Sequence, residues 1–269
     1  MAKGSTDPVV TLTISAGVAT LTLVDEANRN ALSAAVVGEL LDGLAVANAN
    51  ASVRVIVITN RGGVFCAGAD LSEQSGAGAT ADSPPPEGWG PGGLVLLLQA
   101  IQHSPTPVVA RVDGHAVAGG VGLVAACDIS IARDDVLLGF TEVRVGVIPA
   151  IISVVCLPKM RRGDALEAFL RGRRFLAPEA AGLGLITRAV PAGDLDTEVA
   201  TVVDDLTRGG PLALAEAKRL VYDVPMLSPD DAWRLSAERS QERFASAEAA
   251  EGMAAFLAKR APSWAPRHP

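Results

Sequence analysis

Cysteine, histidine and aromatic residues are all scarce in this 269-residue sequence: three Cys, three His and 4% Phe, Trp and Tyr together. Cys66, Cys127 and Cys156 are odd in number and form no C-x-x-C pair, which argues against a disulfide framework and a structural zinc site. With only His103, His115 and His268 present, a mechanism built on a histidine cluster is not expected. No apolar run reaches the ~20 residues that a membrane-spanning helix requires. The first ten residues lack the basic-then-apolar pattern of a secretory signal, so a cytoplasmic location is the expectation. A net charge of −7 disfavours nucleic acid as a partner. It leaves room for an anionic ligand held by local amides and a few basic side chains.

What is present is apolar and small. Hydrophobic residues make up 49% of the chain, mainly Ala, Val and Leu, enough to fill the core of one large α/β domain or two small ones. Residues 9–14 and 18–23 are β-rich runs separated by Ser15, Ala16 and Gly17, which predicts a hairpin. Leu32, Val36, Leu40, Leu44 and Ala47 then recur at helical spacing, with Asn30 or Ser33 as the cap. Strands are predicted at 53–59, 108–112 and 128–132, and helices at 94–102 and from Gly119 to Ala126. Between them, 75–93 is rich in Gly and Pro and reads as a loop. From Pro211 onward the pattern is helical only, over about 211–222, 230–244 and 248–260. Strands alternating with helices, followed by a helical tail, predict an α/β fold with an α-helical appendage, divided at about residue 200. No repeat of fixed period is visible.

Three segments carry residues suited to chemistry. In Phe65-Cys66-Ala67-Gly68-Ala69-Asp70-Leu71, small residues after a strand let the backbone approach a ligand closely, and Asp70 is placed to cap a helix starting at Leu71. An ordinary tight turn would look the same. In 114–122, glycines at a helix start expose N–H groups where the helix dipole favours a phosphate or an oxyanion. Close helix packing is the competing reading. The stretch Gly120-x-Gly122-x-x-Ala125 also fits a dinucleotide fingerprint, with Glu142 about 20 residues on. A strand run starting six residues after Gly122 is too early for that unit. In 139–150, Glu142 is one carboxylate in an apolar stretch, where burial would raise its pKa toward general acid–base use. An ion pair with Arg144 or another Arg is the alternative. Cys66 is expected to be a small buried side chain and His115 a packing or hydrogen-bonding residue. Arg161, Arg162, Arg171, Arg173 and Arg174 read as a solvated face, or as attractors of ligand phosphates.

In order and spacing the segments resemble the crotonase (enoyl-CoA hydratase/isomerase) superfamily over nearly the whole chain. The matching residues are Asn30-Ala31-Leu32-Ser33, 65–71, 107–131, Leu183-Gly184-Leu185-Ile186 and Val190-Pro191. The resemblance implies a spiral of ββα units whose C-terminal helices pack homotrimers, often paired as hexamers. It implies an acyl-CoA thioester as substrate, coenzyme A as part of that substrate, and no separate cofactor or metal. It gives the N–H groups of Ala69 and Gly119 to the thioester oxygen as that oxygen becomes an enolate, and the proton transfer to Glu142. Asn30, Ala31, Ala67, Gly68, Asp70, Leu71 and Gly120 match the family's substrate-binding segments. Phe256 and Lys259 resemble residues that reach a neighbouring subunit's CoA.

The sequence departs from the two-glutamate hydratases at Gly122, where the first glutamate would stand. A single carboxylate suits an isomerase. The segments 119–123 and 141–153 are instead similar to a branch of hydratases that includes methylglutaconyl-CoA hydratase-like enzymes acting on branched substrates, for which Glu73, Asp82 or Glu87 would be the substitute acid. Hydration of a 2-enoyl-CoA is therefore the leading expectation, followed by isomerisation. A non-catalytic acyl-CoA binder and a nicotinamide oxidoreductase are the readings from other classes.

Overall fold

A computed structural model describes residues 7–70 and 91–265. β1 (Val10–Ser15) and β2 (Val18–Leu23) form the expected hairpin. Its two turn residues, Ala16 and Gly17, both have positive φ, at 48° and 81°. That backbone matches the right-handed twist of the strands it joins. α1 (Ala34–Ala49) is capped by Ser33, whose hydroxyl accepts from the Val36 N–H at 3.2 Å. Asn30 does other work: its side-chain amide donates to the carbonyls of Val64 at 2.7 Å and Arg61 at 3.3 Å.

The rest of the chain builds two sheets in alternation. β3 (Val55–Asn60) is followed by β4 (Val64–Cys66), then α2 (Pro91–Gln102). β5 (Val108–Val112) is followed by β6 (His115–Val117), then α3 (Gly119–Ala126). β7 (Ile129–Arg133) is followed by β8 (Leu137–Gly139), then α4 (Ala150–Cys156) and α5 (Arg162–Arg171). β9 (Arg174–Leu176), α6 (Ala177–Gly182) and β10 (Arg188–Val190) complete the sheets. The first strand of each pair joins a six-stranded sheet, ordered β1-β2-β3-β5-β7-β10, and the second joins a four-stranded sheet, ordered β4-β6-β8-β9. Like strands of successive units pair in parallel, so each ββα unit is one turn of a spiral. The repeat is one of topology, with no counterpart in the residue pattern.

Side-chain alternation along β3 serves two cores. Ile56 and Ile58 enter the main one, with Leu21, Leu40, Phe65 and Leu123. Val55 and Val57 point the other way, against Val109, Ile131, Leu195, Val199 and Val202. The last three belong to α7 (Leu195–Arg208), so the helix-only tail starts before residue 211, with a helix that covers the sheet. The helices α4 to α7 were not anticipated from the sequence.

Beyond them lie α8 (Pro211–Asp223), α9 (Pro229–Phe244) and α10 (Ala247–Leu257), close to the predicted spans. α8 is tied to the core by Lys218, whose ammonium lies 2.9 Å from the Asp128 carboxylate and donates to the Ile101 carbonyl at 2.8 Å. These three helices, with the turn Val224–Met226 between the first two, leave Val221, Met226, Trp233, Phe244, Phe256 and Leu257 exposed. Among the described residues, no helix is long and apolar enough to cross a membrane.

Candidate active site

β4, β6 and β8 run parallel and side by side, so the segments that leave their C-terminal ends emerge at one edge of the small sheet. Carboxyl ends of adjacent parallel strands are where ligand crevices form in open α/β sheets. The three segments singled out in the sequence are these three exits. They are 67–70 after β4, Ala118 and Gly119 after β6, and 140–142 after β8. They meet around a cavity of about 610 Å³, whose lining includes Ala67, Ala69, Ala118, Gly119, Thr141 and Glu142.

Local geometry brings two amides together. Leu32 donates to the Gly68 carbonyl at 2.8 Å and bridges to Ala69, which ties the first segment to the start of α1. Gly68 has φ +88°, and a methyl placed on it would lie 2.9 Å from the Ala118 Cβ and 3.2 Å from the Gly119 nitrogen. Only glycine allows that approach. Ala118 has φ 50° without being glycine, and its N–H donates to the Gly139 carbonyl at 2.9 Å. Such backbone conformations cost about 1–3 kcal/mol and persist where the surroundings impose them. The strained turn sets Gly119 as the first residue of α3, with its N–H not used inside the helix. Neither the Ala69 nor the Gly119 N–H has an acceptor among the described residues.

Two residues before Glu142, Phe140 is fully buried and packs against Phe169 with ring centroids 4.4 Å apart. The carboxylate begins a helical turn, Glu142–Val145, and its Oε2 is buried without a hydrogen-bond partner among the described residues. Burial raises its pKa above the ordinary carboxylate value of 4.5, and no guanidinium counters that rise. The ion-pair reading with Arg144 therefore fails. Arg144 instead donates to the carbonyls of Arg171 at 2.8 Å and Gly172 at 3.4 Å.

The position of the absent glutamate is closed. A methyl built on Gly122 would lie 2.2 Å from Ile152 Cγ2, and Ile152 itself lines the cavity. Ile152 went unnoticed in the sequence, because only the packing of α4 on α3 brings it there. Among the described lining residues, Glu142 is the single carboxylate. Glu73, Asp82, Glu87 and Leu71 lie outside the described residues, so the acid sought in the loop and the helix that Asp70 would cap are untouched by this geometry.

The remaining positions separate. Asn30 and Ala31 are buried and do not line the cavity, and Asp70 is buried where it accepts from the Asn28 side chain at 2.7 Å. Gly120 is buried against Cys66, whose carbonyl would be 2.4 Å from an added methyl. Burial pushes the Cys66 thiol up to about 12, which suits a packing residue. The His115 ring accepts from the Leu137 N–H at 2.9 Å, a link between β6 and β8. Phe256, 82% exposed, ends α10 close to Lys259, and neither residue lines the cavity. Of the stretches expected to shape the pocket, 143–153 contributes Arg144, Val145 and 147–152, while 75–93 is described only at its end, where Gly93 reaches the wall.

Comparison with known proteins agrees with this geometry. The family model for enoyl-CoA hydratase/isomerase matches residues 13–267. A Thermus thermophilus protein, provisionally named an enoyl-CoA hydratase, is 33% identical over 91% of this chain and 96% of its own length. The crystal structure of an enoyl-CoA hydratase from Mycobacterium avium is 41% identical, covers 96% of this chain and 99% of that one, and gives a TM-score of 0.72. An enoyl-CoA hydratase structure from Mycobacterium smegmatis is 31% identical, with the same coverage and a TM-score of 0.86. The chain belongs to the enoyl-CoA hydratase/isomerase family.

Proposed function

We propose that this protein is an enoyl-CoA hydratase that adds water across the C2–C3 double bond of a 2-enoyl-CoA thioester, with coenzyme A entering as part of the substrate. The observation that carries this is the meeting of two unused N–H groups, at Ala69 and Gly119, with the buried, unpartnered Oε2 of Glu142 in one apolar cavity. The thioester oxygen accepts from both N–H groups and is stabilised as negative charge develops on it. One such donor is typically worth ~2.7–4 kcal/mol in the transition state. Hydroxide adds at C3 and a proton is delivered at C2. Glu142, held by burial closer to neutrality than a solvated carboxylate, moves the proton.

Isomerisation is the second reading, favoured by the closed Gly122–Ile152 position, which leaves one carboxylate among the described lining residues. A single base can carry a proton between two carbons without a fixed water. Following thioester absorbance separates the two. Loss of the conjugated signal from a 2-enoyl-CoA is expected for hydration. A gain of that signal from a 3-enoyl-CoA, with no loss from the 2-enoyl ester, would establish the isomerase. Silence from both, with CoA-ester binding intact, would leave a non-catalytic binder.

A further inference from the structure

The two N–H groups left unused at the cavity are aimed by different means. A peptide unit is planar and trans, so its carbonyl and its N–H point in opposite directions, and fixing one fixes the other. The Gly119 N–H shares its peptide unit with the Ala118 carbonyl, which accepts from the N–H groups of Val121 at 2.9 Å and Gly122 at 3.3 Å. The first turn of α3 therefore aims it. The Ala69 N–H shares its unit with the Gly68 carbonyl, in a segment that belongs to no helix. That carbonyl accepts from the Leu32 N–H at 2.8 Å, next to the bridge between Leu32 and Ala69. The bond turns the Ala69 N–H away from the Leu32 backbone, to the side where Ala69 lines the cavity.

Leu32 is in turn placed by an uncommon piece of backbone. Arg29 and Asn30 both have positive φ, at 53° and 52°, and neither is glycine. Two such residues in succession persist only where their surroundings impose them. The Asn30 side chain supplies the restraint. It is buried, and its amide nitrogen donates to the carbonyls of Val64 and Arg61, which clamps the turn onto the start of β4. Both partners are acceptors, so the amide presents its nitrogen to them, and its Oδ1 is left buried without a partner among the described residues. A left-handed backbone and an unpaired buried oxygen both oppose folding, and such costs collect where a site needs its geometry held. The clamped turn meets the segment 67–70 at three points. The Asn28 side chain donates to the Asp70 carboxylate at 2.7 Å, the Ala67 N–H donates to the Arg29 carbonyl at 3.2 Å, and Leu32 donates to Gly68.

We propose that Asn30 is a positioning residue for the reaction: by clamping this turn to β4 it holds the Leu32 N–H on the Gly68 carbonyl, and so aims the Ala69 N–H at the thioester oxygen. Asn30 does not line the cavity, and its part in substrate binding is indirect. The inference rests on the reading above of the Ala69 and Gly119 amides as the donors to that oxygen.

A bound chromophore tests it. Cinnamoyl-CoA is a conjugated thioester whose absorbance moves to longer wavelength as its carbonyl oxygen is polarised. In a Glu142→Gln background, where turnover does not consume the ester, binding is expected to produce that red shift. Adding Asn30→Gly, which suits the left-handed φ and removes the clamp, should abolish most of the shift, while affinity stays within about threefold. In the otherwise wild-type chain, Asn30→Gly should lower kcat by about tenfold or more with KM little changed, short of the ~10²–10³-fold cost of losing a donor outright. Asn28→Ala loosens the same turn at its half-buried end and should give a smaller loss of both; it carries the test if Asn30→Gly does not fold. A full red shift and an undiminished kcat in these variants, with only a lower melting temperature, would overturn the proposal and leave Asn30 a stabilising residue. No red shift with Asn30 in place would overturn the two-amide reading itself, and the positioning role with it.

Discussion

Glu142 concentrates the conflict between function and stability at the scale of one residue. A buried carboxyl with a raised pKa is penalised in its ionised form. Its folded pKa lies above its unfolded value, so the stability it contributes is fully present below about 4.5 and is lost as pH rises through the folded pKa. Glu142→Gln keeps the shape and removes the ionisation. Turnover is expected to fall by about 10²–10⁴-fold, the usual worth of a positioned acid or base, with thioester affinity nearly unchanged. The same variant should melt higher than wild type at pH 7.5, with a smaller gap at pH 4.5. Thermal scans at the two pH values check the sign, and a gap that widened on acidification would mean that an undetected partner stabilises the carboxylate.

At the scale of elements, the packing of α3 against its neighbours decides what chemistry can reach the cavity. Gly122→Ala would drive a methyl into Ile152, and overpacking of this kind costs roughly 1–3 kcal/mol. Ile152→Ala opens a cavity of its own but should make Gly122→Ala tolerable. Chemical denaturation of the two single variants and the double variant is expected to show clear non-additivity, as contacting residues do. Additive losses would mean that α3 and α4 relax independently. Gly68→Ala tests the other side of α3. Its positive φ and its closeness to the Gly119 nitrogen predict displaced amides, so turnover should drop more than ester affinity.

At the scale of the whole molecule, the C-terminal helices join the rest through few contacts and expose large apolar side chains. Lys218 is one of those contacts, and its pairing with Asp128 is largely buried. Lys218→Met should leave Asp128 without its counter-charge and cost about 3–5 kcal/mol, the range for breaking one side of a buried pair. Asp128→Asn in the same chain should restore most of the loss, read as denaturation midpoints. Met226, Trp233, Phe244 and Phe256 are each more than two-thirds exposed, and exposed apolar side chains that cluster mark an interaction surface. Sedimentation is expected to give a homotrimer or hexamer of the 27.5 kDa chain, and Trp233→Arg to shift it toward smaller species. A monomeric wild type would remove the basis for placing Phe256 and Lys259 at a neighbour's ligand.

Much of this protein was legible in the order of its residues. Hairpin, β3, β5, α1, α3 and the three terminal helices announce themselves because each is long enough to show a period or is bounded by turn residues. The segments around Ala69, Gly119 and Glu142 stood out for the same local reason, since small residues and a lone acid in apolar surroundings need no partner to be noticed. The second sheet did not. Its strands are three residues each, too short to display alternation, and they exist because neighbouring turns of the spiral pair them. That sheet sets the three segments side by side at one edge. The sealing of Gly122 by Ile152, 30 residues away in sequence, and the clamping of Asn30 onto the carbonyls of Arg61 and Val64 are likewise facts of packing. Sequence determined which groups were available, through residue type and local pattern. Tertiary structure decided which of them share a cavity, because strand pairing and helix contact act between residues with no fixed spacing along the chain.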